Sequence, residues 1–215
     1  MSISRPDGLA AALVLVSALP AAAQALDARP PKRLIVTGSD SPDTAQLRAH
    51  SALMERRPFE GVVLRAGGRD DAGNPVHLAR AFGRDAWRPA WFQSCIDDLQ
   101  ACRFGRFTDN FVLLGANPGD VDWFDDAGWE QVVEHWRIAA RVAKAGGLRG
   151  ICFDPEPYTP PHDLFRHGVP PGDGARPFDA VAAKARERGR AVMRAIAAEH
   201  PDATILSYFL LCACR

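Results

Sequence analysis

The sequence predicts an α/β protein on parallel strands: a parallel-stranded (β/α) barrel, incomplete, with about five strand–helix units. Three observations lead there. Apolar runs at 34–36, 61–64, 111–114, 150–153 and 205–211 are short and continuous rather than alternating, as in strands covered on both faces. The segments between them carry helical spacing, and strand alternating with helix indicates a parallel sheet under helices. A complete eight-unit barrel takes about 250 residues. Residues 26–215 fall short of that and stop on an apolar run, so a domain truncated at its C-terminus is expected. A five-stranded open α/β sheet is the competing architecture.

Residues 1–25 read as a signal peptide. Arg5 gives a short charged start that Asp7 weakens, and the apolar stretch 9–19 is well short of the roughly 20 residues of a membrane span. Pro20 breaks the stretch, and Ala23-Gln24-Ala25 supplies small residues flanking a cleavage point. The mature chain then starts near Leu26, with Arg29-Pro30-Pro31 as a stiff leader, in a secreted or periplasmic setting. No later segment is apolar enough to span a bilayer.

Of the 215 residues 47% are hydrophobic, and 26 basic residues balance 26 acidic ones. That composition suits a globular domain, and zero net charge removes the electrostatic case for nucleic acid or an anionic membrane as partner. Export implies oxidising conditions, so the five cysteines matter. Cys95 and Cys102 on one helix are about 10 Å apart, too far to bridge unless the helix ends between them. Cys152 reads as a small core residue, and Cys212 and Cys214 alternate on the last strand. No pair has metal-ligand spacing with a histidine, so neither zinc nor another cofactor is expected.

In chain order, the first strand stops at Thr37-Gly38. Ser41 then suits an N-cap and Pro42 a first helical position, with Leu47, Leu53 and Met54 as the apolar face and Arg56-Arg57-Pro58 as the end. The stretch 66–89 is the least regular, and a connection of that length usually serves binding. Residues 91–99 read as the second helix. The third is the clearest: Asp125 and Asp126 at its start, Trp129, Val132, Val133, Trp136, Ala140 and Ala143 at helical spacing, Gly146-Gly147 at its end. The fourth helix spans 178–200 and halts at Pro201.

In parallel α/β folds reactive groups gather where strands end. Asp154 and Glu156 sit at such a place, two apart on an extended segment that Pro155 and Pro157 keep out of the helical region, so both point to one side. Two close carboxylates repel, and one then holds its proton and can act as a general acid, as in sugar hydrolysis. Asp40 after the first strand and Asn117 after the third can hydrogen-bond hydroxyls, and Trp123 and Tyr158 offer flat aromatic faces in the loops beside them.

The segment Gly150-Ile151-Cys152-Phe153-Asp154-Pro155-Glu156 resembles the fourth-strand signature of the chitinase-like barrel glycoside hydrolases, an Asp-x-Asp-x-Glu run ending in the catalytic acid. Cys152 stands where that motif has its first Asp. The resemblance implies a carbohydrate substrate, Glu156 as proton donor and Asp154 as its electrostatic partner. Two other expectations compete: a non-catalytic carbohydrate-binding protein, and a metal-dependent hydrolase with Asp40, Asp154 and Glu156 as oxygen ligands.

Overall fold

A computed structural model of the chain describes residues 32–169 and 176–209. In chain order the elements are β1 (Ile35–Val36), α1 (Thr44–Met54), β2 (Gly61–Leu64), β3 (Gly67–Arg69) and β4 (Pro75–His77). A 3-10 turn (Pro89–Phe92) then leads into α2 (Gln93–Ala101), followed by β5 (Phe111–Gly115), α3 (Asp126–Ala145), β6 (Gly150–Asp154), α4 (Phe178–Glu199) and β7 (Thr204–Ser207). The segment 1–25 and both Cys212 and Cys214 lie outside the described residues. Among the described residues no helix is long and apolar enough to cross a membrane.

The α/β class and the parallel sheet expected from the sequence are both present. Five strands run in the order β1-β2-β5-β6-β7, every neighbouring pair parallel, and curl into a half-barrel. Alternation gives the sheet two unlike faces. Val62, Leu64, Val112, Leu114 and Ile151 pack under the helices in the main core, with Trp129, Val132, Trp136 and Ile138 of α3. Val63, Phe111 and Cys152 form a smaller cluster with Ile35, Leu113, Leu206 and Tyr208 on the concave face. Across that face the Thr37 hydroxyl, just past one edge strand, is hydrogen-bonded to the Tyr208 hydroxyl, just past the other.

The first helix differs from its expected form. Its N-cap is Asp43, not Ser41: the Asp43 carboxylate accepts the Gln46 N–H at 2.7 Å while the Gln46 side chain accepts the Asp43 N–H at 3.0 Å, and this reciprocal pair fixes the start. Pro42 lies before it, its carbonyl accepting the Arg65 N–H at 2.8 Å. The helix ends at Met54, ahead of Arg56-Arg57. Leu53 is 60% exposed, because six residues past the buried Leu47 the helix has turned it away from the sheet. The second helix runs through Ala101, so Cys95 and Cys102 stay unpaired; they and Cys152 are buried free thiols. The fourth helix stops one residue early, at Glu199.

The stretch 66–89 is more ordered than its composition suggests. β3 and β4 form an antiparallel hairpin whose turn is tied by Asp70, which accepts the N–H groups of Ala72 and Asn74 at 2.9 and 2.8 Å. The chain then doubles back over the end of β5. Leu78 O accepts the Gly115 N–H at 3.3 Å, Phe82 N–H donates to Asn117 O at 3.0 Å, and Phe82 O accepts the Gly119 N–H at 3.0 Å. Gly115 has to be glycine, since a Cβ there would meet Ala79 O at 2.5 Å. Beneath, the fully buried His135 of α3 reaches Ala81 O at 2.8 Å and Asp85 O at 2.7 Å. Burial pushes its pKa down, and a neutral imidazole has one N–H to share between these two acceptors.

Candidate functional site

Parallel pairing brings the ends of β2, β5 and β6 to one edge of the half-barrel, where the backbone is free of strand partners and side chains can converge. Asp154 closes β6 opposite Gly115 and is only 8% exposed. It shares the concave face with Cys152, two residues earlier. Its Oδ1 accepts the Glu156 N–H at 3.0 Å and its Oδ2 accepts the Tyr158 hydroxyl at 3.3 Å. The same hydroxyl also donates to Glu156 Oε2. One phenol thus lies between two carboxylates, and its single proton serves one of them at a time.

The electrostatics follow from that arrangement. Burial raises the Asp154 pKa above the ordinary carboxylate value, and the charge of Glu156 adds to the rise. Tyr158 is raised as well, chiefly because Glu156 accepts its proton in a hydrogen bond. Tyr208, which follows β7 beside Cys152 and Asp154, is pushed up to about 12, mainly by burial. The mouth therefore favours protonated forms. A carboxyl whose folded pKa is raised contributes stability that is full below the unfolded value, about 3.9, and is lost as pH rises through the folded value. Asp154→Asn removes this dependence. The variant is expected to melt above the wild type at pH 7 and to lose that advantage near pH 4, measured by thermal unfolding at both. A gap that widened in acid would contradict the raised pKa.

Asn117 belongs to the same edge, and loop contacts engage its amide. Its Nδ2 donates to Glu156 O at 3.4 Å, and its Oδ1 accepts the Tyr158 N–H at 2.9 Å and the Thr159 hydroxyl at 3.2 Å. It holds the 156–159 segment against the end of β5. Tyr158 is 62% exposed, its hydroxyl between Asp154 and Glu156. Trp123 lies elsewhere: it is 6% exposed, stacks on Trp129 with ring centroids 4.9 Å apart, and donates its indole N–H to Leu164 O at 3.2 Å. Its faces are taken up by packing. Asp40 is exposed in a separate cleft of about 230 Å³ between β1 and α1, with Val36, Met54, Arg57 and Phe107. Among the described residues no three His, Cys, Asp or Glu side chains are grouped to hold a metal ion, so Asp40, Asp154 and Glu156 do not form an oxygen-ligand set.

Sequence reasoning missed Arg65, His77 and Arg80. Arg65 directly follows β2, the same strand-end position that marked Asp154, and that signal was open to reading. His77 and Arg80 reach the edge only through the doubled-back segment, which no local pattern announces. Comparisons with protein-family models, with curated proteins and with solved structures returned no match.

Proposed function

We propose that the chain is a glycoside hydrolase-like protein of the (β/α)-barrel type, exported, with the opening of the half-barrel as its active site. The observation that carries this reading is the Asp154–Tyr158–Glu156 constellation: two carboxylates around one phenol at the end of a parallel strand, the inner one buried and raised in pKa. Glu156, the less buried of the two, protonates the glycosidic oxygen as the bond to the leaving sugar breaks. Asp154, reluctant to ionise, holds the Glu156 backbone through its N–H. Tyr158 orients the donor carboxyl and offers its exposed ring to a sugar face. Asn117 fixes the segment that carries Glu156 and Tyr158.

The test is release of new reducing ends from a panel of oligosaccharides by the full chain, followed against pH. Turnover that falls as pH rises is expected of a step that needs a proton donor. Saturable sugar binding with no release from any member of the panel would instead identify a carbohydrate-binding protein that keeps the cleft without the chemistry.

A further inference from the structure

We infer that the same opening carries a built site for an anionic substituent, so that the sugar it accepts is acidic, bearing a carboxylate or a sulfate ester. This rests on the reading of the opening as a sugar site, and deepens it. A cavity of about 280 Å³ lies on the concave side, lined by Arg65, Ala66, His77, Ala79, Arg80 and Leu113. Leu113 belongs to the inner-face cluster and pairs across the sheet with Cys152, so the cavity shares a face with Asp154. Arg80 is bridged to Ala116, whose N–H donates to Asp154 O at 2.9 Å. Arg80 therefore stands two strand spacings, about 10 Å, from the Asp154 backbone.

Arg65, His77 and Arg80 are among the residues lining this cavity, and no Asp or Glu lines it. Neither the Arg65 nor the Arg80 side chain has a hydrogen-bond or ion-pair partner among the described residues; Arg56, Arg149, Arg166, Arg186, Arg190 and Arg194 share that state, and what sets Arg65 and Arg80 apart is that both line one cavity. The acids on the far side of Arg65 are engaged elsewhere. Asp43 caps α1, and Asp98 takes Arg48 at 2.8 Å and the Thr44 hydroxyl at 3.0 Å. The segment that delivers Arg80 is fixed by three backbone hydrogen bonds to the 115–119 stretch and by the glycine at 115. Two unpaired arginines beside one largely apolar cavity suit a carboxylate or a sulfate, the anions that guanidinium groups bind best. The positive side chains lie on the β2 side of the opening, away from the carboxyl pair at the end of β6, and so they orient a charged sugar in one direction.

The experiment measures binding of the full chain to tetragalacturonate, to a sulfated tetrasaccharide and to neutral cellotetraose, at low and high salt. An acidic probe is expected to bind at least roughly tenfold tighter than the neutral one, with the difference shrinking in high salt. The tighter of the two acidic probes identifies the substituent. Arg65→Gln with Arg80→Gln is expected to abolish the preference, and Arg65→Lys with Arg80→Lys to keep part of it. Both side chains are exposed and unpartnered, and a thermal melt of each variant checks that the fold is retained. Equal affinity for charged and neutral probes, or a preference that survives the double Gln substitution, overturns the assignment. Reducing-end release in the same samples separates the two ideas. Charge-selective binding without release leaves this site standing and sinks the hydrolase, while release from neutral chains with no charge preference does the reverse.

Discussion

Replacing Glu156 with Gln is expected to lower reducing-end release by roughly a hundred- to ten-thousand-fold, the contribution of a positioned general acid. The amide has nearly the shape of the carboxyl but no proton to give at neutral pH. The structure offers reasons why the variant keeps its fold. The Tyr158 hydroxyl can donate to the Gln carbonyl oxygen in place of Glu156 Oε2, and both backbone anchors of residue 156, the N–H to Asp154 and the carbonyl to Asn117, remain. Initial rates and a thermal melt on the same preparation decide the matter. Unchanged turnover with an unchanged melt removes Glu156 from the chemistry and with it the hydrolase reading. A loss that follows the melting temperature down assigns Glu156 to stability alone.

Phe82→Ala is expected to destabilise the protein by about 3–5 kcal/mol, the range for deleting a fully packed aromatic side chain. Phe82 is 3% exposed, and its ring centroid lies 5.7–6.2 Å from those of Trp129, Trp136, Phe153 and Phe165. Those rings come from α3, from β6 and from the loop after it, so one truncation loosens three elements. The same residue makes two of the backbone bonds that lay the 78–82 segment across β5. The variant is thus expected to lose charge selectivity in binding along with stability, because Arg80 rides on that segment. Denaturant unfolding gives the first quantity and probe binding the second. A loss below about 1 kcal/mol, typical of a surface site, removes Phe82 as the anchor.

These two expectations drew unequally on what the residues announce. Positions 61–64, 111–114 and 150–153 are readable because a strand covered on both faces has to be apolar throughout, and α3 is readable because its tryptophans repeat at the helical period. Asp154, Glu156 and Tyr158 are readable as a set because alternation on an extended segment is a local property. Trp123 shows the limit of that logic: an aromatic in a strand-end loop reads the same whether it faces a cleft or a neighbouring indole, and only packing against Trp129 decides. The hairpin of β3 and β4 left a weaker mark, the turn run Asp70-Asp71-Ala72-Gly73-Asn74, within residues too polar to suggest strands. Arg80 left none, because its place at the opening depends on backbone bonds to residues 115–119, a distance along the chain that no periodicity spans.

The parallel order of the curled sheet bears on how the molecule is made. Its least distant pairing, Ile35 with Gly61, joins residues 26 apart, and the hydroxyl link from Thr37 to Tyr208 closes a loop of nearly the whole described chain. Each such pairing has to be reached by ordering a long stretch before any ladder bond rewards it, which places assembly in the slow class of proteins dominated by non-local contacts, on the order of milliseconds to seconds. The apolar strands stay exposed to one another's wrong edges for that interval. Dilute conditions during refolding are therefore expected to raise the yield of native protein.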